Sequence, residues 1–121
     1  MAKASPVLKE LKAAVKGLLF PSETDAKLEA FVWPAAGSAE EALRANAEMD
    51  DATVAQVPLA ELADTIPAES RGDFLPLFAL LAHHLSGTTV FKVGEIDIGV
   101  YIVGRTDDGK YAGVRTRVVE T

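Results

Sequence analysis

Apolar residues recur at helical spacing through Val7, Leu8, Leu11, Ala14, Val15 and Leu18, with Lys9, Lys12 and Lys16 between them on the wet face. Ser5-Pro6 sits just ahead, a capping side chain followed by a proline whose missing N–H costs nothing in a first turn. A helix is therefore expected from Ser5 to Gly17, and the turn formers from Pro21 onward predict a loop over 21–26. Leu28, Ala30 and Val32 then alternate with Glu29, Phe31 and Trp33, the two-residue period of a strand, closed by Pro34. Ser38-Ala-Glu-Glu41 is a capping box for a short helix to about Ala47, and the acidic run Glu48–Asp51 reads as a turn. Thr53–Val57 reads as a second strand stopped by Pro58, and Leu59–Thr65 as a short helix.

The stretch Pro67–Gly72 reads as loop, with Asp73 capping a helix that runs through Leu85, keeps Pro76 in its first turn and stops at Ser86-Gly87. This helix is apolar on most of its circumference and is expected to be the most buried one. Thr88–Val93 and Ile96–Arg105 follow as strands, Asp107-Asp108-Gly109 as a hairpin turn, and Lys110–Glu120 as the returning strand. Ile96–Arg105 is apolar on both faces, which calls for helices on both sides of a sheet. The expected fold is α+β: one domain over residues 1–121, a three-layer α/β/α sandwich whose mixed sheet ends in an antiparallel meander. Leu8, Leu11, Val15, Phe74, Leu77, Phe78, Leu81, Ile98, Val100, Ile102 and Val114 are its expected core.

Composition narrows the function. A chain of 121 residues, 49% hydrophobic and 25% charged, has the makeup of an ordinary globular domain with one core. Met1-Ala-Lys-Ala-Ser5 runs into an amphipathic pattern, and no apolar run approaches the roughly 20 residues needed to cross a bilayer, so a cytoplasmic protein without membrane contact is expected. The absence of cysteine excludes disulfides, thiolate metal sites and cysteine nucleophiles. The net charge of −6 disfavours direct binding to nucleic acid. That charge is unevenly spread: residues 1–27 carry 5 basic and 3 acidic side chains, residues 28–87 carry 2 and 10, and residues 88–121 carry 5 and 5.

Little in the chain suggests catalysis. His83 and His84 are the only histidines, and helical neighbours point about 100° apart, so they do not share a metal or a proton easily. No zinc-protease, nucleophile-elbow, dinucleotide or phosphate-loop pattern is present, and the chain reads as a non-enzyme. Glu23 and Asp25, in the loop after the first helix, have the chemistry to grip a cation; a solvated turn with Ser22 or Thr24 bonded to the local backbone explains them as simply. Val114, Thr116 and Val118 continue strand alternation almost to Thr121, which would hold the terminal carboxylate, ionised at neutral pH, as a pre-positioned anion. A rival reading is a small-molecule-binding α/β domain with a pocket beneath the sheet lined by Trp33, Tyr101 and Tyr111.

Gly94-Glu-Ile-Asp-Ile-Gly-Val-Tyr-Ile-Val-Gly104 and Ala112-Gly-Val-Arg-Thr-Arg-Val-Val-Glu-Thr121 resemble the C-terminal part of the nuclease A inhibitor family, as do Gly17-Leu-Leu-Phe-Pro-Ser-Glu23 and Phe31-Val-Trp33 near the start. The resemblance covers both ends of the chain and is loose over residues 34–72. It implies a pathogenesis-related-protein-1-like α/β/α sandwich, monomeric when free. It also implies a protein inhibitor of a sugar-nonspecific endonuclease of the ββα-metal class, with magnesium or another divalent metal at the interface and no cofactor in the free protein. By that likeness Glu23 matches a glutamate that reaches the nuclease's metal centre, and Thr121 a terminal residue whose carboxylate joins the two proteins through a bridging metal. The family pattern also has an Asp-Trp pair before the long helix; here the corresponding stretch, Ala68-Glu-Ser-Arg-Gly72, is shorter and lacks tryptophan.

Overall fold

The computed structural model describes residues 4–20, 26–46, 54–64, 66–94 and 97–119. Helix α1 (Ala4–Val15) leads into two very short strands, β1 (Leu19–Phe20) and β2 (Ala26–Lys27), and then into β3 (Glu29–Trp33). Helix α2 (Ala39–Asn46), strand β4 (Val54–Val57), helix α3 (Leu59–Asp64) and the long helix α4 (Ala68–His84) follow. Three longer strands come next, β5 (Ser86–Val93), β6 (Asp97–Arg105) and β7 (Tyr111–Val119).

The main sheet has five strands in the order β3-β7-β6-β5-β4, and every neighbouring pair is antiparallel. The fold is α+β, and the expected mixed sheet is corrected to an antiparallel one. Its cause is visible in the register: Val57, where β4 ends, pairs with Val90, and Val54 pairs with Val93. Helices α3 and α4 thus return the chain to the end of β4 it left by, and β5 must run against β4. A separate two-stranded ribbon, β1 with β2, replaces part of the expected 21–26 loop; Pro21–Asp25 and the expected acidic turn Glu48–Asp51 lie outside the described residues.

Local chemistry accounts for most boundaries. The Ser38 hydroxyl accepts the Glu41 N–H at 3.2 Å, and the Glu41 carboxylate accepts the Gly37 N–H at 2.9 Å, one residue upstream of the reciprocal bond of an ideal capping box. In the β6–β7 turn the Thr106 N–H donates to the Lys110 carbonyl at 2.8 Å and the Gly109 N–H to the Thr106 carbonyl at 3.1 Å. Gly109 has φ +80°, a left-handed conformation that a side chain would strain. Thr106 also accepts the Lys110 N–H on its hydroxyl oxygen and bonds the Asp108 carboxylate, closing the turn from inside.

The start of α4 differs from expectation. The helix begins at Ala68, directly behind Pro67, whose carbonyl accepts the N–H groups of Ser70 and Arg71 at 2.9 and 3.0 Å. The expected loop is therefore helix, Asp73 is not its cap, and Pro76 lies in the helix interior. An interior proline leaves the carbonyl four residues back without its N–H partner; here that residue is Gly72, and both lie on the exposed side, where water reaches the carbonyl. The helix is also less enclosed than its composition suggests: Phe74, Leu77 and Leu81 are buried, while Leu75 is 61% exposed. It ends at His84, and Ser86-Gly87 already belongs to β5, where a register shift between Ser86 and Thr89 absorbs the glycine.

Two cores lie on opposite faces of the sheet. Under α1, α3 and α4, residues such as Leu11, Leu62, Leu77 and Leu81 pack on Ile98, Val100, Ile102 and Val114. On the other face Ala42 and Leu43 of α2 pack with Phe31, Trp33, Phe91, Val103 and Tyr111. Helices do cover both sides, as the two-faced β6 pattern requires. Of the expected core residues Leu8 and Phe78 are only half-buried, and the others are buried. Gly113 lets β7 lie close to its neighbours: a Cβ there would fall 1.7 Å from the Ile102 carbonyl oxygen of β6 and 3.2 Å from the Phe31 ring of β3.

Candidate functional site

Strand β7 gathers the elements that carry the residues singled out from the sequence. On one side it pairs with β6 along its length, ending at Asp97 opposite Val119. On the other, β3 covers only Tyr111–Arg115, with Glu29 opposite Arg115. The Arg115 guanidinium reinforces that last pair by donating to the Glu29 carboxylate at 2.9 and 3.3 Å. Beyond Arg115 the buried Thr116 hydroxyl donates to the Lys27 carbonyl at 3.1 Å, which ties the β1–β2 ribbon to the later part of β7. The ribbon's registers are Leu19 with Lys27 and Phe20 with Ala26.

Glu23 and Thr121 both lie outside the described residues, as do Ser22, Thr24 and Asp25. Their chain neighbours are described, and these converge: Phe20 and Ala26, which flank the Glu23 segment, are paired partners, and the adjoining Lys27 is bonded to the strand that leads to Thr121. Thr116 is the residue that sequence reasoning passed over. Its alternation marks only a strand, whereas its hydroxyl ties β2 to the later part of β7.

The other candidates have packing roles. His84 Nε2 donates to Glu10 Oε2 at 2.8 Å and so links the end of α4 to α1, with the His83 ring edge-on at a centroid distance of 4.7 Å. Among the described residues no three His, Asp or Glu side chains group as a metal site. Trp33, Tyr101 and Tyr111 pack in the second core: Phe31 stacks on Trp33 at 4.1 Å, Trp33 lies 5.9 Å from Tyr101, and Tyr111 is buried beside them. The stretch Ala68–Gly72, where the family pattern has its Asp-Trp pair, forms the start of α4, and the Arg71 side chain donates back to the Ile66 carbonyl at 3.2 Å.

Among curated proteins none matches this sequence. The family model for nuclease A inhibitor-like proteins, by contrast, matches residues 5–121. That span takes in all of α1 but its first residue, every described strand of both sheets and the two segments that hold Glu23 and Thr121, the middle of the chain included. On this match the chain belongs to the nuclease A inhibitor-like protein family.

Proposed function

We propose that this protein is a non-enzymatic inhibitor of a metal-dependent, sugar-nonspecific endonuclease of the ββα-metal class, and that Glu23 and the Thr121 carboxylate face the nuclease's magnesium site. The observation that carries the reading is the family match over residues 5–121. The anchoring of the β1–β2 ribbon on β7 supports it, because it brings the described ends of the Glu23 segment to the strand that leads to Thr121. Glu23 is three residues from each member of the Phe20–Ala26 pair, a reach of about 10 Å, and Thr121 is two residues past Val119, about 7 Å.

Magnesium prefers oxygen ligands and keeps several waters, so an exposed carboxylate can take the position that a substrate phosphate would fill. In the complex, the chain would contribute carboxylate oxygens while the nuclease holds the metal's remaining ligands. The net charge of −6 suits a partner whose groove accepts polyanions and favours fast association at low salt. The same likeness supports a three-layer sandwich of the pathogenesis-related-protein-1-like kind and a free monomer. Buried aromatics often dominate interfaces, so with helix in place of the Asp-Trp loop the partner's surface should differ in shape there.

Calorimetric titration of a ββα-metal endonuclease from the same source tests the reading, using the unmodified chain, Glu23→Gln and a form extended past Thr121, each with magnesium and with chelator. The unmodified chain should bind and inhibit most tightly with magnesium. Glu23→Gln should weaken binding, the extension should weaken it while leaving folding unchanged, and chelation should loosen the complex. Equal affinity of all three forms in both conditions would overturn the metal-bridge mechanism, and no binding by the unmodified chain would overturn the inhibitor reading for that nuclease.

A further inference from the structure

We infer that the cleft between the C-terminal end of α1 and the β2–β3 corner binds a small amphipathic anion, a carboxylate or phosphate head on a short apolar body. The cleft has a volume of about 580 Å³ and is rimmed by Lys12, Lys16 and Lys27, with Val15, Leu18 and Ala30 on its walls. That volume lies within the roughly 300–1,000 Å³ range of small-ligand sites. Lys12 lies in the last turn of α1 and Lys16 directly past its end, and both line the cleft. Lys27 reaches the same rim from another element, positioned by its pairing with Leu19 and by the Thr116 bond to its carbonyl.

Charge selects the occupant. Among the described residues none of the three lysines is in an ion pair, and Glu29, the acidic side chain on the lining, is engaged by Arg115. The cleft is therefore a local cationic rim around an apolar floor, in a chain whose net charge is −6. That net charge repels a polyanion at long range, whereas a ligand with one or two charges is drawn by the lysines of the lining. A bare inorganic anion would leave the apolar walls wet, and an uncharged amphiphile would leave the lysines unused. The small amphipathic anion is the class that satisfies both.

The test is direct binding to the whole chain without nuclease, so its result is independent of inhibition. Backbone amide NMR titrations with octanoate, octyl phosphate, octanol, octylammonium, inorganic phosphate and a single-stranded oligonucleotide give affinity and location together. The two amphipathic anions should compete for one site, shift the amides of residues 12–18 and 27–30, and bind at least about tenfold more tightly than the other four probes. The tighter of the two identifies the head group. Lys12→Glu with Lys16→Glu, at exposed positions, should reduce that binding about tenfold with an unchanged unfolding midpoint. Equal binding of octanol or octylammonium, tighter binding of the oligonucleotide, shifts located elsewhere, or full affinity in the double variant would each overturn the assignment.

Discussion

The two faces of the sheet are closed in different ways. The face under α1, α3 and α4 is covered by long aliphatic side chains from three helices, and among the described residues Phe74 is the one aromatic of its fully buried members. Among the described residues the opposite face has α2 alone for a lid, 8 residues with Ala42 and Leu43 buried, and it relies instead on strand aromatics stacked on one another. Rings bury more area per residue than leucine does, and paired rings add about 0.5–1.5 kcal/mol beyond that area. Where helices are scarce, aromatic side chains supply the missing cover. The difference also explains why Trp33, Tyr101 and Tyr111 are engaged in packing.

Substitutions on the two faces should separate these modes. The largest effect is expected on the aliphatic face: Leu77→Ala, at a fully buried position, should lower stability by about 2–5 kcal/mol in urea unfolding. A cost below about 1 kcal/mol would mean that α4 is not what holds that face together. On the aromatic face Trp33→Leu should cost about 1–3 kcal/mol, because leucine keeps part of the apolar volume and loses the stack on Phe31. It should also remove the aromatic near-ultraviolet circular dichroism from Trp33; a variant as stable as the parent would show that ring stacking contributes nothing there. The smallest effect is expected at the lid itself. Ser38→Ala removes the acceptor for the Glu41 N–H and should cost about 1 kcal/mol, seen as faster hydrogen exchange of the α2 amides with α4 unaffected.

Features set by neighbouring residues were legible in the sequence. The alternation from Leu28 to Trp33, the Ser38–Glu41 box and the Asp107–Gly109 turn all appear, within a residue or two, where their local chemistry places them. The start of α4 was not, because Pro67 and Pro76 both look like helix breakers until one sees that Pro67 sits at the entrance and Pro76 faces water. Strands of two residues, β1 and β2, are too short to have a period at all. Sheet order was hidden for a different reason: β3 lies beside β7 across more than seventy intervening residues, and no local signal encodes such a pairing. The same holds for the proposed sites. Glu23 and Thr121 are legible as carboxylates but take their roles from family likeness, and the lysine rim is hidden because Lys12 and Lys16 read as an ordinary wet face until the ribbon brings Lys27 beside them.

The pairing of β3 with β7 also sets a timetable for synthesis. While the chain emerges from the ribosome, β3 and the α1 helix packed near it precede by more than seventy residues the strand that completes their side of the sheet. Strands β4 to β7 are nearer in sequence and can form the meander first, since shorter loops close at lower entropic cost. Until β7 is available, Phe31 and Trp33 have no backbone partner and their apolar surface is open to chaperones or to other nascent chains. Trp33 fluorescence on stalled ribosome complexes should therefore remain that of a solvated indole until β7 has cleared the exit tunnel, then shift to the buried spectrum in one step.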